Sequence, residues 1–86
     1  MPATMTRESA DIAVRTALRG FAPDSFLVTL PADEPLRPAL DLDSIDFLTF
    51  VERLAAARAR RIEEDDYPRL TTIDSCVDFL TEDVKP

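Results

Sequence analysis

The sequence predicts an all-α fold: a four-helix bundle of three longer helices and one short one, with a long first loop. Three stretches carry apolar residues at spacings of three and four, the period of one helix face. The one run with the composition of a β-strand has no second strand to pair with, and an isolated strand is not stable. Since 86 residues suffice for one modest core, we expect residues 1–86 to form a single domain, frayed over residues 1–5.

The first predicted helix begins after Thr6, whose hydroxyl can cap its first turn, and ends at Gly20 or shortly after. Gly20 suits the left-handed position that follows many helices, and Pro23 prevents the helix from continuing. The apolar stripe that predicts this helix consists of Ala10, Ala13, Val14, Ala17, Leu18 and Phe21.

The segment over residues 22–41 is predicted to be a long loop. Residues 26–30 have a strand-like composition without a partner, and three prolines between residues 31 and 38 interrupt the rest of the segment. Because structureless loops of this length are rare in compact domains, the segment must pack on the helices or contain a short helical turn. The apolar residues available to anchor it are Phe26, Val28, Leu30, Leu36 and Leu40.

The second long helix is predicted to run from Ser44 or Ile45 to about Ala59, with Ser44 as its N-cap. Ile45 and Leu48 fall outside the core stripe. They form either an exposed apolar patch beside Ser44 or the margin of a wider core stripe. The C-terminal end suits cations because of the helix dipole. The arginines at this end are Arg53, Arg58, Arg60 and Arg61. The predicted core stripe of the helix consists of Phe47, Phe50, Val51 and Leu54.

A short helix and a final long helix complete the prediction. The acidic run over residues 63–66 can begin a helix, which Pro68 keeps short. Thr71 and Asp74 have the spacing of a capping box at the start of the last helix. Cys76 lies on its apolar stripe, which predicts a buried and unreactive thiol. The whole stripe consists of Ile73, Cys76, Val77, Leu80 and Val84.

Composition excludes several classes of function. The net charge of −7 argues against nucleic acid or an anionic membrane surface as a partner. With no histidine and one cysteine, the chain lacks the usual general base, a disulfide and a zinc cluster. We therefore expect no enzyme activity. The first eight residues do not resemble a signal peptide and no apolar run is long enough for a membrane span, so the expected compartment is cytoplasmic.

The tripeptide Asp43-Ser44-Ile45 at the start of the second long helix resembles the D-S-L type of motif of the acyl carrier protein family. The resemblance covers most of the chain, in an acidic protein of matching size, and is tightest from Asp43 onward. It implies that Ser44 is the attachment site of 4′-phosphopantetheine, added from coenzyme A by a separate phosphopantetheinyl transferase. The distal thiol would carry an acyl group as a thioester to acyl-loading and acyl-transfer enzymes, and the carrier would be a monomer.

The resemblance also implies roles for residues around Ser44. Asp43 would help to engage the transferase and its metal ion, with helix capping as its alternative role. Ile45, Asp46 and Leu48 match positions that are presented to partner enzymes. Three further positions could either line an acyl pocket between the helices or belong to the core, namely Ile62, Tyr67 and Leu70.

Departures from the family pattern indicate a specialised carrier of a lipid or secondary-metabolite pathway. Asp41 stands where many members have glycine, and Arg58 stands where an apolar residue is usual. The exposed face of the motif helix is neutral at Thr49, Ala55 and Ala56. This disfavours docking to the enzymes of primary fatty acid synthesis, which bind an acidic face through basic patches. Two alternatives remain: an aminoacyl or peptidyl carrier, including a D-alanyl carrier, and an acidic helical interaction module that carries no prosthetic group.

Overall fold

The computed structural model describes residues 5–82, in which every regular element is helical and no strand occurs. The prediction of an all-helical fold is confirmed for these residues. None of the helices described in this range is long and apolar enough to cross a membrane. In chain order the elements are α1 (Arg7–Ala17), α2 (Asp24–Thr29), α3 (Leu36–Leu40), α4 (Ser44–Arg58), a 3₁₀ helix (Glu64–Arg69) and α5 (Ile73–Thr81).

The core lies between α1, α4 and α5, since α1 packs against both of the other long helices. Apolar periodicity places one stripe of each helix in this interface, and burial of these side chains supplies most of the stabilising free energy. Cys76 is fully buried, as predicted, and burial raises the pKa of its thiol to about 12. The largest side chains with essentially no exposure are Val14, Leu18, Leu36, Phe50, Leu54, Leu70, Ile73 and Cys76.

The prediction of a long loop over residues 22–41 is wrong in part, because the segment contains α2 and α3. Of the three prolines that suggested a loop, Pro31 lies between α2 and α3 and Pro38 lies in the first turn of α3. The third, Pro35, is the N-cap residue of α3, and Pro23 is the N-cap residue of α2. Proline is tolerated there, since the first N–H groups of a helix have no intrahelical acceptor. Leu30, Leu36 and Leu40 anchor the segment in the core, whereas Phe26 and Val28 remain exposed.

Both short helices are held in place by hydrogen bonds from other parts of the chain. The Arg15 guanidinium of α1 donates to the carbonyl oxygens of Leu27 and Leu30 at the end of α2. The Leu36 N–H of α3 donates to the Thr71 carbonyl oxygen over 2.8 Å, just before α5 begins. Helices of five or six residues are not stable alone, so these contacts fix α2 and α3 on the long helices.

Two helix boundaries differ from the prediction. Helix α1 ends at Ala17 rather than Gly20, and Gly20 lies in the following turn with a φ of 95°. The cap of α5 is Thr72, which exchanges hydrogen bonds with Ser75, rather than the Thr71–Asp74 pair.

Met5 is partly buried and packs against the core. Fraying of residues 1–4 and the place of Val84 on the last stripe are predictions that lie outside the described residues.

Candidate functional site

A tight turn places the start of α4. Helix α3 ends in a left-handed residue, Asp41, with a φ of 54°, and the Leu42 N–H donates back to the Arg37 carbonyl oxygen over 2.9 Å. This closing pattern normally favours glycine at the left-handed position. Leu42 is then buried, and the chain enters α4 immediately afterwards with Asp43 and Ser44 exposed.

Asp43, rather than Ser44, is the N-cap of α4, which corrects the prediction. Asp43 Oδ1 accepts a hydrogen bond from the Asp46 N–H over 2.8 Å, and Asp46 Oδ2 accepts one from the Asp43 N–H over 3.3 Å. This reciprocal pair forms a complete capping box. Ser44 is consequently the first helical residue, and its exposed hydroxyl has no part in the cap.

Two apolar side chains stand exposed on the first turns of α4. Ile45 is 74% exposed and Leu48 is 45% exposed, so of the two alternatives these residues form an exposed patch beside Ser44 rather than the margin of a wider core stripe. The opposite face of the same turns carries Phe47 and Phe50, which are buried. Exposed large apolar side chains next to one another typically mark a surface that contacts another molecule.

A groove of about 720 Å³ adjoins Ser44, between α3, the start of α4 and the 3₁₀ helix. The Phe47 ring meets the Tyr67 ring edge-on, with 5.8 Å between centroids. Tyr67 and Leu70 line the groove, whereas Ile62 does not and is buried elsewhere in the core. The lining residues are Pro35, Leu36, Arg37, Pro38, Ser44, Phe47, Leu48, Glu64, Tyr67, Pro68, Leu70 and Thr71.

The α3 wall of this groove was not predicted from the sequence. Its signal is the spacing of Leu36 and Leu40, which places both leucines on one helical face and leaves Arg37 and Pro38 on the other. Both leucines are buried, so α3 turns Arg37 outward over the Phe47 ring, 5.4 Å from guanidinium carbon to ring centroid.

The arginines of α4 bind neighbouring elements at the far end of the helix. Arg53 donates to the carbonyl oxygens of Ala17 and Arg19, where α1 ends. The Arg58 guanidinium lies 4.4 Å from the Phe79 ring centroid, and Arg69 lies over the same ring at 5.2 Å. Burial lowers the pKa of Arg58, with a further contribution from Arg60. Arg58 therefore occupies a largely apolar position with its guanidinium packed on an aromatic face.

Comparison of the chain with protein-family models, with curated proteins and with solved structures found no match.

Proposed function

We propose that this protein is an acyl carrier that holds 4′-phosphopantetheine on Ser44 and delivers a thioester-bound acyl group to partner enzymes. The observation that carries the proposal is the position of Ser44, exposed at the first residue of α4 and on the rim of an apolar groove. The Asp43–Asp46 box caps the helix without Ser44. A hydroxyl free of a capping role is available for modification.

The residues present fit the prosthetic group. The N–H groups in the first turn of a helix and the positive end of its dipole favour a phosphodiester at this position. Ser44 Oγ would form the new bond to phosphorus, with release of adenosine 3′,5′-bisphosphate from coenzyme A and transfer of the hydroxyl proton to the transferase. The exposed carboxylate of Asp43 beside Ser44 supports a role in engaging the transferase and its metal ion.

Acyl cargo is favoured over aminoacyl cargo by the groove, whose walls are mostly leucine, proline and aromatic side chains. Such walls stabilise a methylene chain by about 0.8 kcal/mol for each buried CH₂ group. They offer few partners for an ammonium group. Ile45, Asp46 and Leu48 would form the surface that partner enzymes contact, and the chain itself would perform no catalysis.

The modification is tested by intact mass after incubation with coenzyme A, Mg²⁺ and a broad-specificity phosphopantetheinyl transferase. We expect one phosphopantetheine on the wild-type protein, mapped to Ser44, and none on Ser44→Ala. Ser25→Ala is the matched control, because Ser25 is an exposed serine in the first turn of α2; it should be modified normally. Absence of modification of folded wild-type protein by several transferases would refute the proposal and favour the interaction module.

A further inference from the structure

Arg37 lines the groove without a carboxylate partner, in a protein rich in carboxylates. The chain has 17 acidic residues against 10 basic ones. Within residues 5–82, Arg37 forms no ion pair and donates no hydrogen bond to a protein acceptor, and Glu64 on the same groove does not pair with it. Five other arginines of this range do form ion pairs: Arg7–Asp78, Arg15–Asp11, Arg19–Asp24, Arg61–Glu63 and Arg69–Glu82.

The position of Arg37 relative to Ser44 follows from their common neighbour. Phe47 lies one turn after Ser44 on the same side of α4, and its ring contacts the Arg37 guanidinium. Ser44, Phe47 and Arg37 all line the same groove. A group tethered at Ser44 that folds into the groove therefore meets apolar walls, the Glu64 carboxylate and the Arg37 guanidinium, whose N–H donors have no protein acceptor within residues 5–82.

We propose that the groove takes an acyl group with a free carboxylate, that is, a dicarboxylic acid held as a monothioester, and that Arg37 binds this carboxylate. The methylene stem would lie against the apolar walls, and the carboxylate would accept two parallel N–H···O bonds from the guanidinium. The proposal rests on the proposed carrier function. It names a cargo class for which the guanidinium, the apolar walls and the attachment oxygen are all required.

The test compares a charged and a neutral cargo of equal length. The apo-protein is loaded by a broad-specificity transferase from the coenzyme A thioester of octanedioic acid, or from that of its monomethyl ester, and cleavage of the thioester by hydroxylamine is followed by mass. Arg37→Gln should accelerate cleavage of the dicarboxylic cargo about five-fold, the scale of one partly exposed ion pair. The same substitution should not change the rate of thioester cleavage for the monomethyl ester cargo. Arg60→Gln is the control, because Arg60 is exposed, forms no ion pair within residues 5–82 and does not line the groove.

Each other outcome overturns the proposal in a recognisable way. Equal acceleration of both cargoes by Arg37→Gln would mean that Arg37 acts on the phosphodiester or on the groove itself. No acceleration of either would mean that Arg37 binds no cargo. A wild-type protein that gains no mass would refute the carrier function before any cleavage is measured. Arg37 is exposed, so the thermal midpoint of Arg37→Gln should match that of the wild type.

Discussion

The two ends of α4 both carry an aromatic ring under an arginine, yet one end is closed and the other is open. At the C-terminal end, the guanidinium groups of Arg58 and Arg69 both lie over the Phe79 ring, and Arg69 forms an ion pair with Glu82. At the N-terminal end, the Phe47 ring borders the groove and contacts a single guanidinium among the described residues, that of Arg37. The closed end thus has one of its two cations in an ion pair, whereas Arg37 at the open end forms none within residues 5–82.

The two ends of α4 also differ in whether the arginine over the ring forms an ion pair. The hydrogen bond from Arg69 lowers the pKa of the Glu82 carboxyl and raises the pKa of Arg69, so this pair stabilises the fold above the titration range of a free glutamate and loses its contribution as pH falls below it. Arg37 has no such partner within the described residues. The closed end contributes to stability, and the open end leaves its side chains available to another molecule.

The largest effect should come from truncating apolar side chains at the two ends. Phe79→Ala removes a ring that is 7% exposed and should lower the free energy of unfolding by about 3–5 kcal/mol. Ile45→Ala, at 74% exposure, should change it by less than about 0.5 kcal/mol. Urea denaturation followed by circular dichroism measures both. Similar losses for the two variants would contradict the division into a closed and an open end.

The next largest effect should come from the capping box, where substitutions at Asp43 and Ser44 should differ in their effect on stability. Asp43→Ala removes the acceptor of the Asp46 N–H and should lower the free energy of unfolding by about 1.5 kcal/mol. Ser44→Ala should lower it by less than about 0.5 kcal/mol, because the serine hydroxyl takes no part in the cap. The same denaturation experiment decides between them. A larger loss for Ser44→Ala would restore the serine as the N-cap.

Arg58 tests whether the cation at the closed end is itself favourable. Its Nη1 atom is buried and makes no hydrogen bond to any residue in the described range 5–82, and a buried donor without an acceptor is destabilising. Arg58→Met keeps an apolar stem on the Phe79 ring and removes that donor. We expect a gain of about 1 kcal/mol, since the lost cation–π contact is smaller than the desolvation that is relieved. A loss in denaturation midpoint would show that the cation–ring contact dominates.

The smallest effect concerns the residue that ends α4. Ala59 has a left-handed backbone, with a φ of 58°. The Ala59 N–H donates to the Ala56 carbonyl oxygen, and the Arg60 N–H donates to the Ala55 carbonyl oxygen. Ala59→Gly should stabilise the fold by about 0.5 kcal/mol, because relief of the strained backbone exceeds the greater entropy of unfolded glycine. Ala57→Gly, inside the same helix, is the control and should destabilise it.

Apolar periodicity predicted the three long helices because each completes at least two turns with one buried stripe. Helices α2 and α3 have only six and five residues, so each offers at most one apolar spacing as a signal. Prolines at their N-caps and in the first turn of α3 suggested a loop, although a helix tolerates proline at these positions. The N-cap was misplaced by one residue because aspartate and serine both cap well and stand side by side. A capping contact between two aspartates is visible only in the structure.

The exposed half of the candidate site was predictable in part, and the groove was not. The helical period places Ile45 and Leu48 outside the core stripe, which allowed either exposure or a wider core stripe, and the structure shows both side chains exposed. The groove requires the 3₁₀ helix to meet α3 and the start of α4, although the whole of α4 separates it from them in the sequence. No local pattern specifies that meeting, because it depends on hydrogen bonds such as that between the Leu36 N–H and the Thr71 carbonyl oxygen.

The groove has walls that can open locally and a base that belongs to a long, packed helix. The base is Phe47, part of a helix of 15 residues packed in the core. The walls are a five-residue helix and a six-residue 3₁₀ helix, joined through the segment that leads into α5. Opening of such short elements costs far less than global unfolding. We expect the volume of the groove to adjust to its occupant while the helical frame keeps its dimensions.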